Sequence, residues 1–158
     1  MMDRIDAAAA GFRGVEYHFS YQWPAPELAG RLAEHGLEQV QINAPPGDWQ
    51  AGNRGLAGLP GREGEFRDSI NQAIDYAKAL NCPLVQVMAG IVDQVSELDV
   101  ELETLAENLN VATETCKKEG IGVLIEALNP DDIDEICKGL RALEKTWSDY
   151  ISYGTEAA

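Results

Sequence analysis

Glu126 ends the apolar run Val123-Leu-Ile-Glu126, and of all the residues in this chain its placement points most directly to chemistry. A charge that closes an apolar strand has to be paired, hydrated or metal-bound. A carboxylate there suits a divalent cation, or proton transfer beside a carbonyl. The plain alternative is a strand-end acid held in a structural salt bridge. Other candidates are His18, followed by Tyr21-Gln22-Trp23-Pro24, then Asn43 with the loop after it, and Met88-Ala89-Gly90. His18 reads as a ligand or acid–base group, or as a satisfied structural residue among aromatics. Glu16, internal to its run, reads as an acid facing a barrel interior or pairing with a buried Arg. His35, just before Gly36, reads as a partner for a helix C-terminus. Trp23 and Trp49 read as an apolar wall for a small substrate, or as a cover over the barrel mouth that touches no ligand. Arg54 and Arg62 offer bidentate grips for a carboxylate, with surface solvation as the alternative for each.

Several chemistries lack their residues. The two histidines come with no Gly-x-Ser-x-Gly elbow, so no Ser-His-Asp arrangement is visible, and nothing argues for a Cys nucleophile. Cys82, Cys116 and Cys137 are widely spaced, with no partner at a zinc-ligand interval, and read as reduced, mostly buried thiols. No phosphate-cradling glycine motif leads from a strand into a helix.

The elements that would position these residues follow from the apolar period. Residues 14–19, 38–43, 83–88 and 121–126 are short, rich in β-branched side chains, and read as strands. Between them lie helical patterns. The first is Pro26 to His35, stopped by Gly36. In the second, Phe66, Ile70, Ala73 and Ala77 share a face. In the third, Leu98, Leu102, Leu105, Leu109, Ala112 and Cys116 follow helical spacing to near Gly120. Strand and helix in alternation mean parallel β/α units with right-handed crossovers, so the fold class is α/β. Such folds place working side chains at the C-terminal ends of strands and in the loops that follow. The segment from Asn43 to Arg62 is far longer than a βα connection needs, which marks it as a site or a binding surface. From Ile133 onward the pattern reads as a further helix, with Ile136, Leu140, Leu143, Trp147 and Ile151 as its stripe.

The 158 residues carry 12 basic and 27 acidic side chains, a net charge of −15. That balance argues against nucleic acid or an anionic membrane as a main partner. No apolar run approaches the ~20 residues of a membrane span, and the N-terminus has no signal-peptide core, so a cytoplasmic location is expected.

Specific motifs resemble the hydroxypyruvate isomerase family, a branch of the xylose-isomerase-like TIM barrels. They are Ala8-Ala-Ala-Gly-Phe-Arg-Gly-Val-Glu-Tyr17, the Pro45-Pro-Gly-Asp-Trp49 loop, Leu59-Pro-Gly-Arg-Glu-Gly-Glu-Phe-Arg67, Tyr76-Ala-Lys-Ala-Leu80, Val87-Met-Ala-Gly90, Glu107-Asn-Leu109 and Leu124-Ile-Glu126. The resemblance implies a partial (β/α) barrel of about four parallel strands over residues 1–133, shortened at both ends, with residues 134–158 as a C-terminal helix of the same domain. It also implies isomerisation of hydroxypyruvate to tartronate semialdehyde through an enediol, or of a related 2-oxo-tetronate. A divalent metal, Mg²⁺ or Mn²⁺, is expected at the barrel mouth. Glu126 matches the first family ligand and is carried over as both metal ligand and catalytic acid. The family's Glu-Pro-Ile-Asn stands here as Glu126-Ala-Leu-Asn129, and the later family ligands have no counterpart in the chain. Two expectations follow: an isomerase that completes its site by self-association, or a non-catalytic β/α remnant that binds a partner. In both, the strands at 14–19 and 121–126 are the sheet edges.

Overall fold

The structure, a computed structural model, describes residues 5–91 and 98–126. Contacts divide the chain into a unit ending at Ile125 and a unit beginning at Glu126. The first unit runs α1 (Ile5–Ala9), β1 (Gly14–Tyr17), α2 (Ala25–Glu34), β2 (Glu38–Asn43), α3 (Glu63–Leu80), β3 (Leu84–Val87), α4 (Leu98–Lys118) and β4 (Gly122–Ile125). The four strands form one parallel sheet in the order β1-β2-β3-β4, so among the described residues β1 and β4 stand at its ends, as the resemblance to a shortened barrel implied. The helix expected beyond Ile133 lies outside the described residues. Among those residues no helix is long and apolar enough to cross a membrane.

Each helix carries its boundary signals in its sequence. α2 takes Pro26 in its first turn, where a missing N–H costs nothing, and ends at His35 as its C-cap. α3 has Glu63 and Glu65 in its first turn and Lys78 in its last, matching the helix dipole at both ends. It stops where Asn81 adopts a left-handed conformation, and the Cys82 N–H turns back to the Ala77 carbonyl at 2.8 Å. α4 closes with the Ile121 N–H on the Cys116 carbonyl at 3.0 Å. The strand ladders are shorter than three of the four apolar runs. At β3 the cause is chemical: Pro83 has no N–H to donate and joins only through its carbonyl, which accepts from Gly122 at 2.8 Å.

The core lies between the helices and one face of the sheet. Ile42, Val85 and Val87 point into it, against Leu28 and Leu32 of α2, Phe66, Ile70, Ala73 and Ala77 of α3, and Leu109, Ala112 and Cys116 of α4. Those of α3 and α4 lie on the faces that the sequence spacing defines, and α2 adds Leu28 and Leu32, which that spacing argument did not cover. Side chains alternate along a strand, so the opposite face carries the residues between. There Gln41 Nε2 donates to Gln86 Oε1 at 3.3 Å, and Asn43 lies in register with Gln86. Glu16 is exposed, while its neighbours Val15 and Tyr17 pack against the core. The expected pairing of Glu16 with a buried arginine does not occur among the described residues: the arginines with ion pairs, Arg31 and Arg62, are matched to acids on their own helical turns.

Candidate functional site

The C-terminal ends of β1, β2 and β3 are bound together by two loops that pack on each other. The loop after β1 is tied to the end of β2. Asn43 Nδ2 donates to the His18 carbonyl at 3.0 Å, and the Tyr21 hydroxyl donates to the Asn43 carbonyl at 2.6 Å. The Tyr21 ring meets Tyr76 of α3 edge-on at 4.8 Å, and the Tyr76 hydroxyl donates to the Trp23 carbonyl at 2.9 Å. Burial drives the Tyr21 phenol well above its usual range, with Tyr76 and then Cys82 adding to the effect. Tyr21 is therefore a neutral donor that ties the loop after β1 to the end of β2. Two buried polar atoms here, Asn43 Oδ1 and Ser20 Oγ, have no hydrogen-bond partner among the described residues.

The long loop after β2 is a built structure. Asp48 Oδ1 accepts from the N–H groups of Gln50 and Ala51 at 3.0 Å each, closing a tight turn. Asn53 Oδ1 accepts from the Asp48 N–H at 3.0 Å and from Arg62 Nη1 at 2.9 Å. Further on, Gly55 bridges to Ala89 in antiparallel fashion, and the Gly58 N–H donates to the Ala89 carbonyl at 2.7 Å. Asn108 of α4, fully buried, donates to the Ala57 carbonyl at 2.8 Å. The loop is thus clamped to the end of β3 on one side and to α4 on the other.

Trp49 joins the two loops. Its ring meets His18 at 5.2 Å and Phe19 at 4.9 Å, both edge-on, and the Arg54 guanidinium lies 3.8 Å over it. His18 therefore stands beside the aromatic rings of Phe19 and Trp49. Trp49 supports a cation, and Trp23 contributes its carbonyl to the Tyr76 knot. His35 sits at the end of α2, as expected. Arg62 is engaged by Glu65 through both carboxylate oxygens, at 2.7 Å from Nη2 and 2.9 Å from Nε. That pairing removes it as a carboxylate grip. Tyr76 and Ser20 were not singled out from the sequence. The signal for Tyr76 was a half-buried place beside the apolar face of α3, where a phenol needs a partner for its tip.

Glu126 directly follows β4, at the C-terminal end of the sheet, and is exposed. It is the first residue of the second unit, whereas the loops above belong to the first. Among the described residues no three His, Cys, Asp or Glu side chains gather as a metal site. Cys82 and Cys116 are buried and their thiols are pushed up by burial, so they stay protonated. An open cleft of about 1030 Å³ lies at the other end of the sheet, lined by Leu32, Leu37, Gln39, Leu80, Cys82 and Ile121 among others. It collects strand N-termini, the end of a parallel β/α fold where conservation of side chains serves stability and chemistry is not found.

Residues 5–151 match the family model described as xylose isomerase-like TIM barrel. The chain is 45% identical over 133 residues to a 2-oxo-tetronate isomerase of Cupriavidus necator, covering 84% of this chain and 51% of that protein. It is 44% identical over 127 residues to the hydroxypyruvate isomerase of Escherichia coli, covering 80% and 49% respectively. A solved structure described as an AP endonuclease, family 2, from Brucella melitensis superposes with a TM-score of 0.76 at 44% identity, over 80% of this chain and 48% of that one. The chain spans about half the length of the curated relatives it matches.

Proposed function

The chain belongs to the xylose isomerase-like TIM barrel family, and from that premise we propose that it serves the isomerisation of a small hydroxy-carbonyl acid, with Glu126 moving the proton. The reading interconverts hydroxypyruvate and tartronate semialdehyde. A base takes a proton from C3, leaving an enediolate across C2 and C3. The same proton returns to C2, while the hydroxyl proton passes between the two oxygens through water. A fixed carboxylate suits the carbon-to-carbon transfer, because it reaches both adjacent carbons from one face.

The observation that carries this reading is the position of Glu126, directly beyond the C-terminal end of β4, on the rim where parallel β/α folds keep their working groups. The names of the relatives supply the substrate class. A divalent cation, Mg²⁺ or Mn²⁺, would stabilise the enediolate if one were held. Glu126 would offer it one carboxylate, and the described residues do not gather the remainder of a ligand set.

The test is turnover of hydroxypyruvate by the purified chain, with and without added Mg²⁺ or Mn²⁺, against Glu126→Gln. Loss of roughly 10²- to 10⁴-fold in kcat in the variant, with an unchanged circular dichroism spectrum, supports the assignment. Turnover that survives the substitution refutes the role of Glu126. A 2-oxo-tetronate assayed in parallel decides which acid is preferred, since relatives of both names match at similar identity. Absence of both turnover and metal binding would favour a non-catalytic β/α domain that binds a partner.

A further inference from the structure

Among the cations at this end of the sheet, Arg54 is held in place without an acid beside it. Arg62 is gripped by Glu65, and elsewhere Arg31 pairs with Glu27 and Lys78 with Glu119. In a chain of net charge −15, a half-buried guanidinium with no carboxylate among the described residues calls for an explanation. Its fixation is specific. Nη1 donates to the Asn53 carbonyl at 2.8 Å and to the Trp49 carbonyl at 3.2 Å, and the plane lies over the Trp49 ring.

A guanidinium has five N–H donors in a rigid fork. The two carbonyls use both hydrogens of Nη1. The Nε–H and the hydrogens of Nη2 have no partner among the described residues, and the edge they form is the one that grips a carboxylate side-on through two parallel bonds. Stacking on Trp49 desolvates one face, which strengthens binding along the remaining edge. The backbone at residue 54 is also fixed, because the next residue, Gly55, lies against Met88 and Gly90 at the end of β3.

We infer that Arg54 is a carboxylate-binding residue at the C-terminal edge of this sheet, taking the acid group of a small hydroxy-carbonyl acid through its Nε–Nη2 edge. The inference deepens the isomerase reading and rests on it for the substrate class. It assigns the acid group to Arg54 rather than to Arg62, whose fork is taken by Glu65.

The experiment is equilibrium binding by titration calorimetry of two ligands to the full chain: hydroxypyruvate, and hydroxyacetone, which replaces the carboxylate with a methyl group. The proteins are the unaltered chain, Arg54→Met, Arg54→Lys and Arg62→Met. The unaltered chain should prefer the acid on the order of 10- to 100-fold, the usual range for a charge-assisted bidentate pair. Arg54→Met should abolish that preference with hydroxyacetone binding unchanged. Arg54→Lys, which keeps the charge but loses the fork, should fall between, and Arg62→Met should keep the preference. No preference for the acid in the unaltered chain, or a preference that survives Arg54→Met, overturns the inference. The two readings separate cleanly. An acid preference lost in Arg54→Met in a chain without turnover keeps this site and removes the isomerase. Turnover with an unchanged KM in Arg54→Met does the reverse.

Discussion

Replacing Gly55 with Ala will detach the long loop after β2 from the end of β3, and the size of the effect follows from what surrounds that residue. Gly55 has a φ of +135°, where a side chain costs about 1–3 kcal/mol. A Cβ there would stand 2.7 Å from the Gly90 nitrogen and still closer to the Met88 carbonyl. These are backbone atoms of the segment closing β3, so no rotamer change relieves the overlap and the loop itself must move. Moving it breaks the hydrogen bonds from Ala57 to Met88 (3.3 Å) and from Gly58 to Ala89 (2.7 Å), about 1 kcal/mol each. Leu56, 2% exposed, loses part of its burial, about 1 kcal/mol more. The sum is about 4–6 kcal/mol, a large share of a domain's stability. Gly52→Ala is the control: its φ is +97° but nothing lies within 4 Å of the new Cβ, so only the backbone term of about 1–2 kcal/mol applies. Urea unfolding followed by far-ultraviolet circular dichroism measures both. If the two variants differ by less than about 0.5 kcal/mol, the clamp between this loop and β3 is not the stabilising contact described here.

Two further predictions concern buried polar groups. Asn108→Ala removes the donor to the Ala57 carbonyl inside the core and will cost about 1–3 kcal/mol in the same urea assay; a cost below about 0.5 kcal/mol would show that α4 does not hold the loop. Stability will also fall in alkali. Burial raises Tyr21, Cys82 and Cys116 in the folded chain, so between the unfolded and folded values the native state holds protons that the unfolded state has lost. The decline starts near the ordinary thiol value of about 8.5 and steepens above the tyrosine value of about 10, by up to about 1.4 kcal/mol per pH unit for each such group. Tyr21→Phe should flatten the part above pH 10, and a denaturation midpoint that does not change from pH 7 to 11 would refute the assignment.

The architecture was readable because its signals are local. β2 has the bounds of its apolar run, and the faces of α3 and α4 repeat at helical spacing. The order β1-β2-β3-β4 was not legible in the pattern alone, because right-handed crossovers also build doubly wound sheets of other orders; the resemblance to a barrel family pointed to it. The long loop announced itself by length. What it does was less visible, since its contacts reach residues far away: Gly55 to Ala89, Ala57 to Asn108, Trp49 to His18. Choosing between Arg54 and Arg62 required knowing where each guanidinium ends. One clue was present: Glu65 stands three residues after Arg62 at the start of a helix, the spacing of a same-face ion pair, whereas no acid follows Arg54 at that interval. Glu16 was legible in part: it lies on the face away from the helices, the interior face of a β/α arc, but it is exposed there and pairs with no arginine among the described residues.

That face also bears on where chemistry is placed. Opposite the apolar core, the sheet presents Glu16, Gln41, Asn43 and Gln86, and two of these amides bond directly to each other. An apolar surface laid over them would strand amide groups that need hydrogen-bond partners, at about 1–3 kcal/mol for each one left unpaired. Water, a polar ligand or other polar side chains would meet that need. Toward the C-terminal edge, Asn43 Oδ1 is already buried without a partner among the described residues, beside the knot that fixes the loop after β1. A polar inner face, an orphaned acceptor and an arginine clamped with its binding edge free are separate features of one rim. Of these, the orphaned Asn43 acceptor is the cost to folding, and a polar group brought to this rim would relieve it.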